Sequence, residues 1–140
     1  MQDSIYKRLE YKELAIKNNY NTLEFLLNSS SEFSIVCYTD VVEFNPPVPS
    51  SIIEFDNLTL FNIANYTLES ASLDEKSFTI ETGFGAQNFG SLLTIPLEAI
   101  YQIIYKNDLL CINYYKPKVP KSSMEIFLNN PENLKLLRKE

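Results

Sequence analysis

From Ser4 to Asn28 the apolar positions Ile5, Leu9, Ile16, Tyr20, Leu23 and Leu27 recur at spacings of three, four and seven. That period predicts a helix with one apolar stripe. Asp3 or Ser4 can cap it by accepting a first-turn amide. The run Asn18-Asn19-Tyr20-Asn21 is poor helix sequence, so a break or kink is expected there. The stripe either packs on the chain's own sheet or forms a dimer contact, for which Ile5, Leu9, Ile16 and Tyr20 are the candidates.

After Ser29-Ser30-Ser31 the pattern changes to β-branched and aromatic residues, and Phe33 to Glu43 predicts a strand. Three prolines in Asn45-Pro46-Pro47-Val48-Pro49 remove ladder donors and impose a turn or an edge. Ser51 to Phe55 and Leu58 to Ala64 read as two short strands, or as one hairpin turning at Asp56-Asn57. Ser77 to Thr82 alternates apolar and polar positions, as a strand with one wet face does. Leu92 to Ile95 is a further short strand, and Pro96 can open a helical turn over Leu97-Glu98-Ala99. Ile100 to Tyr105 and Leu109 to Tyr115 close the set, joined through Asn107-Asp108. The expectation is an α+β, mainly β fold: an N-terminal helix followed by a small β-barrel or sandwich. The helix at 4–28 and a β-core at 33–115 make one domain, 116–132 a basic, proline-containing linker, and 133–140 a short tail.

Charge narrows the partners. With 12 Lys and Arg against 18 Asp and Glu the net charge is −6, which disfavours the phosphate backbone of nucleic acid and an anionic membrane surface alike. The start of the chain shows no apolar signal-peptide core, and no stretch approaches the length of a membrane span, so a cytoplasmic location is expected. Cys37 and Cys111 lie in apolar runs and read as reduced, buried small hydrophobes, the other reading being a disulfide or a reactive thiol. There is no histidine, which removes the usual general base and the commonest metal ligand, and two isolated cysteines cannot make a zinc site. Carboxylate pairs such as Asp74-Glu75 are accounted for by a solvated face. No cofactor and no enzymatic activity are expected.

The informative segment is Gly83-Phe84-Gly85-Ala86-Gln87-Asn88-Phe89-Gly90, which holds all three glycines of the chain between two predicted strands. It is not a phosphate loop: the GxxxxGK[ST] pattern is absent, and no Lys or Arg lies between Thr82 and Leu97. A neutral glycine-bearing strand end suits an extended peptide read through its main chain. A bulged hairpin that contacts nothing is the other reading.

Leu60-Phe61-Asn62-Ile63-Ala64, then Phe78 to Ala86, then Ile95-Pro96-Leu97-Glu98-Ala99-Ile100 and Ile103-Ile104-Tyr105 resemble, in that order, three marks of the stringent starvation protein B family of ClpX adaptors. Those marks are an L-N-I-A strand, an A-R-F-G-G turn and a V-P-L-x-A segment. The likeness extends more weakly over about Tyr6 to Tyr115. It implies a Sm-like β-fold, homodimers formed through the N-terminal helix, and a groove that captures ssrA-tagged proteins. Carried over by position, the peptide-binding residues are Asn62, Ala64, Thr82, Phe84, Gly85 and Ala86, although Phe84 is equally suited to the core. The tail residues Leu134, Lys135, Leu136, Leu137 and Arg138 match the family's apolar–basic motif for the ClpX N-domain. Gly83 stands where the family has Arg, and Ala86 where it has a second Gly, which leaves the tag specificity open. The spacer is short: about sixteen flexible residues span roughly 20–25 Å. Docking of the apolar stretch Met124 to Leu128 on the domain is the other reading of this segment.

Overall fold

The computed structural model describes residues 4–118. Ser4 caps a single 3-10 turn, Ile5–Lys7, by accepting the Tyr6 amide on its hydroxyl. After an extended Arg8 the chain enters α1, Leu9–Asn28. The expected break at Asn18–Asn21 does not occur. Asn19 is fully buried, and its side-chain amide donates to the carbonyls of Leu97 at 2.9 Å and Ile100 at 3.0 Å. A residue with poor helix propensity is held there by tertiary hydrogen bonds, which outweigh a propensity deficit of about 0.7 kcal/mol.

The β residues form two antiparallel sheets of four strands each. The first contains β1 (Phe33–Tyr38), β3 (Leu58–Ile63), β7 (Ile100–Tyr105) and β8 (Asp108–Ile112), in the order β3-β1-β7-β8. The second contains β2 (Glu43–Asn45), β4 (Ser72–Leu73), β5 (Ser77–Phe84) and β6 (Phe89–Pro96), in the order β2-β6-β5-β4. Among the described residues no closed barrel forms. The fold is α+β and mainly β, the layered alternative of the sequence reading.

Two 3-10 corners carry the chain from one sheet to the other. The first, Thr39–Val41, divides the single strand expected over 33–43 into β1 and β2. It is fixed by the Thr39 amide donating to the Asn57 carbonyl at 2.9 Å and by the 2.6 Å contact between the Thr39 and Thr59 hydroxyls. The second, Leu97–Ala99, lies where Pro96 was expected to open a turn, and its Leu97 amide donates to the Lys76 carbonyl. Residues 51–55 are not a strand; Ile52, Ile53 and Phe55 pack on the core from a loop. The last strand ends at Ile112 rather than Tyr115, because the Asn113 side chain turns inward to donate to the carbonyls of Glu98 and Ile100.

The core lies between the sheets. Ile35, Cys37, Ile63 and Ile103 face it from the first sheet, Phe78, Ile80, Leu93 and Ile95 from the second. Helix α1 adds Leu23 and Leu26 and packs on the second corner, β7 and β8 of one sheet and β4 of the other. Each such buried side chain contributes roughly 1.5–3 kcal/mol. Between β3 and β4 the chain makes a short helix the sequence reading did not foresee, α2 (Asn65–Ser70), which lies along β5.

Candidate functional site

The glycine segment is the tip of the β5–β6 hairpin. Register runs from Ser77↔Pro96 without a shift to Thr82↔Ser91, Gly83↔Gly90 and Phe84↔Phe89. Residues 85–88 turn the chain, with the Asn88 amide donating to the Gly85 carbonyl at 3.1 Å. Gly85 has φ +72°, a left-handed conformation that glycine tolerates without penalty, and a Cβ there would stand 2.6 Å from Ile52 Cγ2. Gly83 is roofed by Asn88, whose Oδ1 occupies the space a Cβ would need. Gly90 faces open space.

One edge of β5 is exposed near this tip. The short strand β4 pairs with β5 only at Thr79 and Phe78. Beyond it, Ser70 Oγ of α2 accepts the Glu81 amide at 2.9 Å. In an antiparallel ladder successive residues direct their main-chain groups to opposite sides. Since Glu81 bonds toward α2, Gly83 presents its N–H and C=O on that same side, away from β6.

Those groups border a cleft of about 570 Å³. Its walls are Glu81, Thr82 and Gly83 of β5, Gly90, Ser91 and Leu92 of β6, Ala64 to Thr67 at the start of α2, and Asn45, Pro46 and Asn88. The Asn45–Pro46 peptide bond is cis, and the Pro46 carbonyl accepts the Ser91 hydroxyl at 2.8 Å. The lining is mostly uncharged and rich in amide and hydroxyl groups. Among the described residues Glu81 is its one ionisable carboxylate, and it accepts a hydrogen bond from the Tyr66 hydroxyl. That bond, followed by the charges of Glu81 and Glu69, pushes the Tyr66 phenol above its ordinary value. Such a cleft can hold an extended polar chain by main-chain and amide contacts. Among the described residues no cluster of three or more His, Cys, Asp or Glu is placed to hold a metal ion.

The residues singled out from the sequence divide. Ala64 and Thr82 line the cleft from two different elements. Gly85 and Ala86 lie in the turn beside it. Asn62 is on the outer face of β3, where its side chain accepts the Ser34 hydroxyl at 2.8 Å, and it does not border the cleft. Phe84 is a core ring, in edge contact with Phe55 at 5.3 Å between centroids and with Phe44 and Phe61 beyond. The strand alternation explains this: Phe78, Ile80 and Phe84 share the inward face. Tyr66, Glu81 and Asn88 were not foreseen. Asn88 stood inside the glycine segment, but Tyr66 and Glu81 meet only because α2 folds back on β5.

Elsewhere, Ile16 and Tyr20 pack against the chain's own core, whereas Ile5 and Leu9 are exposed. The most exposed apolar residues of α1 also include Leu14 and Phe25. Cys37 is buried and Cys111 half-buried, and both are free thiols. The tail Leu134 to Arg138 and most of the linker lie outside the described residues. Among the described residues no helix is long and apolar enough to cross a membrane. No protein-family model matches the chain, and no curated protein matches it in sequence.

Proposed function

We propose that this chain is a non-enzymatic, cytoplasmic delivery adaptor that captures an extended peptide tag in the cleft at the β5–β6 tip. Its C-terminal tail would then present the cargo to the ClpX unfoldase. The observation that supports capture is the convergence of Ala64, Thr82, Gly83 and Gly90, from three elements, around a mostly uncharged cleft bordered by a free strand edge. An extended guest gains main-chain hydrogen bonds at such an edge and specificity from the side pockets. The resemblance in Leu60–Ala64, Phe78–Ala86 and Ile95–Tyr105 supplies the identity of the tag as ssrA-like and the connection to proteolysis. Tethering works by effective concentration: once the tail is docked, cargo contact with the unfoldase becomes intramolecular.

In this proposal the chain works as a homodimer joined through α1. Since Ile16 and Tyr20 are engaged with the core, the residues for that contact are the exposed Ile5, Leu9, Leu14 and Phe25. The test has two arms. Fluorescence polarisation of labelled ssrA-tag peptide on the full chain is expected to show saturable binding. Pull-down with a ClpX N-domain is expected to lose the chain when residues 134–140 are deleted. Tag binding with no dependence on the tail would leave a peptide-binding domain without a role in delivery.

A further inference from the structure

Resting on the reading of the cleft as a peptide site, we propose that its guest adds as a short strand at Gly83 and presents a lysine or arginine to Glu81 and Tyr66. The main-chain half follows from the ladder. Gly83 turns its N–H and C=O toward the cleft, while the next position along that edge, Glu81, is already bonded to Ser70. The guest therefore pairs at Gly83 and cannot run on past Glu81, so its ladder is confined to the tip of the hairpin. Asn88 covers the one face of Gly83 that a Cβ would occupy.

The charge half follows from the lining. Among the described residues no lysine or arginine borders the cleft, and Glu81 supplies its formal charge. Tyr66 donates to one carboxylate oxygen of Glu81 and is 62% exposed, so its ring stands beside that charge at the rim. A carboxylate next to an open aromatic face recognises a cation by ion pairing and by the ring's negative face together. Residues two apart on a strand are separated by about 6.7 Å. A long basic side chain on the guest residue paired with Gly83 covers that distance to Glu81, as diagonal cross-strand neighbours do. An acidic guest at the same place meets Glu81 and the nearby charge of Glu69, which raises its cost.

The experiment uses the full chain and fluorescein-labelled peptides Ser-Ala-Val-Xaa-Val-Ala-Ser in which Xaa is Lys, Gln or Glu. The expected order of affinity is Lys, then Gln, then Glu, with steps of about threefold to fivefold at low salt that shrink as salt rises. Glu81→Gln, which keeps an acceptor for the Tyr66 hydroxyl, is expected to bring the three within twofold of one another. N-methylation of the Xaa amide is expected to weaken all three. Equal binding of Lys and Glu peptides to the wild type overturns the charge assignment and leaves the peptide site standing. Binding of none of the three peptides, nor of the ssrA-tag peptide, overturns the peptide site itself.

Discussion

Replacing Asn19 by Ala tests the physical account of how the two sheets and the helix are joined. The Asn19 amide donates to the carbonyls of Leu97 and Ile100 on the second corner, and its oxygen accepts the Cys111 thiol at 3.3 Å. Both carbonyls keep other partners, since the Ile100 amide donates to Leu97 and Asn113 donates to Ile100. The loss is therefore two net amide hydrogen bonds of about 1 kcal/mol each, with neither carbonyl orphaned, together with the weak bond from the Cys111 thiol. Truncating a fully buried side chain also leaves a void worth about 1 kcal/mol, and the better helix propensity of Ala returns about 0.7 kcal/mol. The variant is expected to be less stable by about 2–3 kcal/mol in urea denaturation, or about 10 °C in melting temperature. Asn18→Ala, one position along on the exposed face, receives only the propensity gain and is expected to be neutral or slightly stabilised. A destabilisation below about 0.5 kcal/mol for Asn19→Ala, or equal effects at both positions, would refute the claim that this amide anchors α1 to the corner.

Three further outcomes follow from the site. Phe84→Ala is expected to cost about 3–5 kcal/mol in the same denaturation series, because the ring fills a four-phenylalanine cluster, whereas a groove residue would lose ligand affinity with little loss of stability. Gly85→Ala is expected to destabilise by about 1–2 kcal/mol, through the left-handed φ and the approach to Ile52; an unchanged melting temperature would contradict that geometry. Asp74 accepts the amides of Lys76 and Ser77 at 2.7 and 2.8 Å, and these bonds hold its carboxyl below the ordinary value. Its contribution is thus complete above the unfolded-state value and lost as pH falls through the lower folded one, so acid titration of stability should lose part of its slope below about pH 4 in Asp74→Asn.

Much of the fold was legible because periodicity reports directly on burial. The part of the α1 stripe from Ile16 to Leu27, the alternation of β5, the limits of β7 and the turn after Pro96 could be read from spacing, whereas Ile5 and Leu9 of that stripe are exposed. What could not be read depended on contacts distant in sequence. Asn19 keeps α1 whole through carbonyls 78 and 81 positions away, a bond that no local propensity encodes. Residues 51–55 are apolar enough for a strand, yet Ile52, Ile53 and Phe55 spend that apolar character on the core from a loop. At the site, the three glycines marked the right hairpin, but each serves a different end: Gly85 the turn, Gly83 the close approach of Asn88, Gly90 the open wall. Tyr66 and Glu81 were silent because 15 positions and an unforeseen helix separate them.

The most direct measurement is backbone amide shift mapping by NMR as ssrA-tag peptide is added to the full chain. The account expects the largest changes at Gly83, Gly90, Thr82 and Asn65, with Asn62 and the outer face of β3 unmoved. Changes concentrated on that outer face or on α1, with Gly83 and Gly90 still, would contradict it.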